Sequence, residues 1–266
     1  MKIRALFYYP VKSLGGIATD SLILDRFGPA NDRRWMLVDD QGRFITQRKY
    51  PALARIRPWF DNHQLVLDVP VHGAVPVVAG TRTREVVVWR DQVSGVLEEA
   101  GSASEAISTY LGTAVKLVYM PETVTRPAHH ASLTGVHPVS FADGFPLLLA
   151  NQASLDDLAQ RCPGYGDMRR FRPNVVVEGA AAWDEDRWLD ITLGTAPVRV
   201  VKPCSRCIMI TVDPDDGNRS PDGEPMKTLA GFRRTDDGVL FGVNAVHQGP
   251  GVLRVGDPVT LTESKE

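Results

Sequence analysis

Apolar residues recur along this chain at the two-residue period of β-strands more often than at helical spacing. Ile3 to Val11 reads as an aromatic-rich strand, and Leu65-Val66-Leu67-Asp68-Val69, Val75 to Val78 and Glu85-Val86-Val87-Val88-Trp89 follow as short strands between turns. Arg34-Trp35-Met36-Leu37-Val38 and Arg43-Phe44-Ile45-Thr46-Gln47 flank Asp39-Asp40-Gln41-Gly42, a pattern that predicts a hairpin. From Gln92 to Leu111 the apolar spacing lengthens. It predicts helical pieces, broken near Gly101-Ser102 and stopped by Gly112. Val115 to Tyr119 returns to strand.

Pro121 to Pro138 holds three prolines and three histidines among Ser and Thr residues. It reads as a linker or mobile loop and sets the expected boundary between a domain of residues 1–120 and one of residues 121–266. Beyond it, Pro146 to Ala150 is a buried strand leading into a helix at Asn151 to Leu158, with Asn151 or Ser154 as N-cap. Val175 to Val177, Leu189 to Leu193, Val198 to Val201, Ile208 to Val212, Leu240 to Val246 and Val252 to Leu261 (broken by Gly256-Asp257) complete the strands. Glu224 to Phe232 is a short helix. The fold class predicted is mainly β (α+β), with two β-barrel-like domains and a few short helices.

Composition narrows the function. A net charge of -2 argues against an electrostatically driven nucleic-acid binder. Three cysteines are too few and too odd in number for a disulfide framework. The N-terminus shows no apolar leader, and the longest apolar run, Phe145 to Ala150, is far short of a membrane span. The expected compartment is a reducing cytoplasm.

Against that background the stretch Cys204-Ser205-Arg206-Cys207 stands out, because free thiols there need an explanation. A structural zinc site needs four ligands, and only Cys162 remains as a thiol, with no paired histidines following. A thioredoxin-like dithiol should open a helix, whereas Ile208-Met209-Ile210-Thr211-Val212 predicts continuing strand. Two readings stay open: two small buried residues, or one thiolate holding a metal whose other ligands come from a cofactor. Other polar clusters could serve a ligand. Lys12-Ser13-Leu14-Gly15-Gly16 offers a cation, a hydroxyl and a flexible backbone, and Asp32-Arg33-Arg34 adds arginines. Arg172 and Asn174, separated by Pro173, point the same way on an extended chain and suit an anionic or amide-bearing ligand. The alternative pairs Arg172 with Asp184-Glu185-Asp186. His129-His130 and His137 read as loop residues, without carboxylate or cysteine at ligand spacing.

Seven blocks in order resemble the MOSC family, in its branch with a MOSC N-terminal β-barrel. They are Tyr9-Pro10-Val11-Lys12-Ser13, Asp32-Arg33-Arg34-Trp35, Phe171-Arg172-Pro173-Asn174, Glu185-Asp186-x-Trp188, Cys204-Ser205-Arg206-Cys207 with Thr211-Val212-Asp213, Phe241-Gly242-Val243-Asn244 and Gly256-Asp257-Pro258-Val259. The resemblance spans nearly the whole chain. It implies a molybdenum cofactor (Mo-molybdopterin), with Cys207 as the thiolate ligand of the metal. It implies cofactor contacts at Lys12, Ser13, Arg33, Arg172, Asn174, Ser205, Arg206 and Asn244, and at Asn151 and Gln152 where a strand-to-helix turn approaches the cofactor. Cys204 is implied as a neighbour and not a ligand.

The activity implied is the two-electron reduction of small N-hydroxylated compounds. Some relatives append an iron–sulfur domain, and no cysteine follows Cys207 here. A separate electron-donor protein of ferredoxin, flavoprotein or cytochrome b5 type is therefore expected as partner, with no nucleic acid and no membrane segment. The competing expectations are a non-catalytic carrier of the cofactor or of sulfur, and a pyridoxal phosphate-binding protein.

Overall fold

The computed structural model describes residues 1–265. Among them strands dominate, with three α-helices at Ala103–Leu111, Gln152–Arg161 and Met226–Arg233. The mainly β fold is as the pattern predicts, although the hydrogen-bonded sheets run as open paths and do not close into barrels. The largest sheet has nine strands. Its path runs Val259–Ser264, Trp188–Leu193, Ala196–Arg206, Gly238–His247, Leu147–Asn151, Val175–Glu178, Lys2–Tyr8, Ile17–Thr19, and Arg234–Thr235 pairs with Gly238–His247 off that path. A four-stranded sheet joins Trp35–Val38, Lys116–Tyr119, Asp91–Glu99 and Ala79–Val88, and two three-stranded sheets complete the fold.

The first strand belongs to the far half of the chain. Lys2–Tyr8 pairs antiparallel with Val175–Glu178, its apolar Ile3 and Leu6 packing with Leu149, Val175 and Val243 in one core. A second core under the four-stranded sheet gathers Val11, Leu14, Leu37, Ile107 and Leu117. The loop leaving the first strand therefore crosses from one core to the other. Among the described residues no helix is long and apolar enough to cross a membrane.

Three elements differ from the sequence pattern, each for a local reason. Residues 91–99 are strand and not helix. The register shifts between Val93 and Val96, and Gly95 takes φ 81°, so an extra residue lets both valines face inward. That bulge imitates helical spacing. Ile208–Thr211 is a 3-10 turn and not strand, closed by Thr211 Oγ1 donating to the Ile208 carbonyl at 2.8 Å. Residues 43–47 form no strand and make only isolated bridges, Phe44 to Val38 and Arg43 to Val87, although the turn before them forms as expected around Asp39.

Candidate functional site

The loop after the first strand lines one side of a cavity of about 830 Å³. Lys12 is buried there. Its ammonium donates to the Phe141 carbonyl at 2.9 Å and forms an ion pair with Asp143. Burial pulls the Lys12 pKa down, with Asp143 only partly restoring it. Burial would raise the Asp143 carboxyl, but Lys12, Arg48 and Arg33 hold it well below the usual carboxylate range. Its side chain remains 61% exposed, facing the cavity. Ser13 follows with φ 68°, and its carbonyl accepts from Gln47 Nε2 at 2.7 Å.

Asp32, itself buried, organises the next wall. One oxygen accepts the Tyr9 N–H at 2.8 Å and Asn174 Nδ2 at 3.2 Å, and the other accepts Arg33 Nη1 at 2.6 Å. Arg33 Nη2 donates on to the Arg172 carbonyl at 3.1 Å. The guanidinium groups of Arg33 and Arg172 both lie over the Tyr9 ring, 4.4 and 4.2 Å from its centroid. Burial pushes the Tyr9 hydroxyl up to about 12, while burial and the neighbouring Arg33 bring Arg172 down to about 10. Arg172 donates to the Leu14 carbonyl at 2.6 Å and not to Asp184, Glu185 or Asp186. The Asn174 amide is used up within the protein, accepting from Leu148 N–H and donating to Phe7 and Asp32. It therefore positions Arg33 and Asp32 more than it offers a free donor. Ser13, Arg33 and Arg172 all hold positive φ, at 68°, 47° and 54°. Such backbone is costly for residues other than glycine, so the surrounding bonds must hold it in place.

The third wall is the long strand Ala196–Arg206, which pairs with Gly238–His247. Its register slips on either side of Pro203, which has no N–H to give the ladder. The slip delivers Ser205, Arg206 and Cys207 to the cavity, where Asn244 from the partner strand joins them. Arg206 Nη1 donates to Cys204 Sγ at 3.0 Å and its Nη2 to the Phe171 carbonyl at 2.5 Å. Cys204 to Cys207 runs extended, so the two Cα atoms stand about 10 Å apart, beyond the ~7 Å reach of a disulfide. Cys207 Sγ accepts Arg48 Nε at 3.2 Å. Among the described residues no group of three or more His, Cys, Asp or Glu is arranged to hold a metal ion alone.

Nine of the eleven residues singled out from sequence thus meet in one cavity: Lys12, Ser13, Arg33, Arg172, Asn174, Ser205, Arg206, Cys207 and Asn244. Asn151 and Gln152 do not line it. Asn151 caps the helix at Gln152–Arg161, accepting from Ala153 N–H at 3.1 Å and donating to Ala181 and to buried Glu185. Gln152 donates to Asp156 at 2.7 Å on an exposed face. The N-terminus of that helix is capped by the Asn151 side chain itself. Sequence reasoning missed Asp143, Trp89 and Arg126, which also line the cavity, and read Arg48 only as an arginine that could converge with the Arg33-Arg34 pair on an anion. Arg48 follows the predicted hairpin and Asp143 the histidine loop, yet neither stood in a motif. Of that loop, His129 reaches the cavity, 3.5 Å from Asp91.

Comparison with known proteins adds two family matches. A model described as the MOSC N-terminal beta barrel domain matches residues 1–114, and one described as the MOSC domain matches residues 136–260. Mitochondrial amidoxime-reducing component 1 of Homo sapiens is 30% identical, covering 97% of this chain and 82% of that protein. Mitochondrial amidoxime reducing component 2 of Rattus norvegicus is 32% identical over the same shares. Molybdenum cofactor sulfurase of Oryza sativa subsp. japonica is 28% identical, covering 91% of this chain and 32% of that protein.

Proposed function

Because the chain belongs to the MOSC family and carries that family's N-terminal barrel domain, we propose that it is a molybdenum cofactor-dependent reductase of N-hydroxylated compounds, with Cys207 as the metal's protein ligand. The observation that carries this reading is the cavity's chemistry: a half-buried thiol beside guanidinium groups that outnumber their carboxylate partners. Two nitrogens of those groups, Arg172 Nη2 and Arg206 Nε, are buried without a hydrogen-bond partner. Unpaired buried donors of positive charge suit an anion. A phosphate-bearing pterin that binds its metal through its own sulfurs fits this donor set and needs one further thiolate.

Lys12, Ser13, Arg33, Arg172, Ser205, Arg206 and Asn244 would hold the cofactor, and Asn174 would keep Arg33 in place. Bound there, the cofactor would supply the two electrons that, with two protons, convert an N–OH group to N–H and water. Asp143 stays ionised at neutral pH, so it would accept a substrate N–H and orient it, not act as an acid. Phe44, Trp89 and Phe145 give the same cavity flat apolar walls that exclude water beside it. Electrons would be delivered by a separate protein of ferredoxin, flavoprotein or cytochrome b5 type.

The test uses protein made in a host that synthesises the cofactor. Molybdenum and pterin are measured per chain, and reduction of an aryl amidoxime is followed with a chemical reductant. Cys207→Ala is expected to lose molybdenum and turnover while its circular dichroism stays native. Normal turnover in that variant would overturn the reading, and bound cofactor without N–OH reduction from any donor would leave a carrier in its place.

A further inference from the structure

The donor that reaches Cys207 comes from the other half of the chain. Arg48 sits in a turn built for rigidity: Lys49 N–H and Tyr50 N–H both bond the Thr46 carbonyl at 3.0 Å, and Arg48 N–H bonds Thr46 Oγ1 at 3.2 Å. Gln47, buried, ties the turn to the Ser13 carbonyl at 2.7 Å. From the far side, Arg219 donates to the Arg48 carbonyl. The side chain is fixed as well. Its guanidinium lies 4.7 Å from the Trp89 ring centroid, and its Nη2 is 3.6 Å from Asp143 Oδ2. Those restraints leave Nε directed at Cys207 Sγ, at 3.2 Å.

A guanidinium seeking only a counter-charge would close on the carboxylate. Here the contact with Asp143 is the longer one, and the N–H···S bond is the one within hydrogen-bond reach. A hydrogen bond to a thiolate draws charge from sulfur and makes it a weaker donor to a bound metal, which raises the metal's reduction potential. We propose that Arg48 is the positioning residue of the metal-binding thiolate: its Nε–H···Sγ bond orients Cys207 and sets the reduction potential of the metal held there. The proposal rests on the assignment of Cys207 as the ligand. It also makes the thiolate site a joint product of both halves, because Arg48 and Trp89 come from one and Cys207 from the other.

Arg48→Met in the cofactor-loaded protein tests it, since methionine keeps length and lacks the donor. The midpoint potential is expected to fall, and the thiolate-to-metal absorption to move to longer wavelength as sulfur becomes the stronger donor. Turnover is expected to drop about tenfold or more through kcat, with KM unchanged. Arg48→Lys, which keeps an N–H donor, is expected to recover part of the potential. An unchanged potential and absorption in Arg48→Met would overturn the proposal. Should that variant fail to load, Trp89→Leu removes the platform under the guanidinium and is expected to shift the potential the same way; an unchanged potential there also overturns it. Failure of the underlying assignment is read separately: molybdenum retained by Cys207→Ala refutes the ligand itself, whatever Arg48 does.

Discussion

Glu185 offers a quantitative check on the packing beside the helix at Gln152–Arg161. The residue is fully buried, and one of its oxygens, Oε2, accepts from Ser154 Oγ at 2.8 Å and Asn151 Nδ2 at 3.1 Å. The other, Oε1, has no partner. Burial outweighs those two bonds and raises its pKa from 4.5 to about 6. A carboxyl whose folded pKa lies above its unfolded value stabilises the fold fully below 4.5, and that stability is lost as pH rises through 6. A shift of this size is worth about 2 kcal/mol in total, of which roughly 1.2 kcal/mol falls between pH 5 and pH 8. Glu185→Gln keeps the acceptor and removes the charge. Its stability relative to the parent, from urea unfolding followed by tryptophan fluorescence, should therefore be more favourable at pH 8 than at pH 5 by about 1 kcal/mol. An equal difference at the two pH values would refute the idea that Glu185 is held in an environment hostile to its charge.

Two further variants separate structure from ligand binding. Ser13→Gly relieves a backbone at φ 68° and should stabilise the protein by about 1 kcal/mol in thermal or urea unfolding, while cofactor retained per chain falls as the hydroxyl is lost. Asn151→Ala removes an N-cap and one of the two hydrogen bonds on Glu185, and should cost about 1–3 kcal/mol of stability. Molybdenum per folded chain should not change in that variant, because its side chain faces away from the cavity.

Much of the cavity was legible because its residues sit in short blocks whose types announce a task. Lys12-Ser13, Arg33, Arg172 and Ser205-Arg206-Cys207 combine charge, hydroxyl and thiol where a strand ends. The strand-rich fold was legible for a simpler reason, since a two-residue period survives wherever one face of a sheet is buried. What escaped notice was local irregularity and long-range company. The bulge at Gly95 gave Val93 and Val96 a helical spacing within a strand. Arg48 meets Cys207 across 159 positions, a pairing no local pattern encodes. Asn151, expected both as an N-cap and as a cofactor contact, serves as the N-cap, and its amide also reaches a buried acid.

The pairing of Lys2 with Glu178 has a consequence for synthesis on the ribosome. The opening strand is made first, and its partner emerges about 170 residues later, roughly 10–35 s at ordinary elongation rates. During that interval only Ile17–Thr19 can pair with the opening strand, along Leu6 to Tyr8, so the edge that later meets Val175–Glu178 stays open while the first half is made. A ribosome-bound holdase that covers this open edge should be needed longer when translation is slowed between residues 120 and 175.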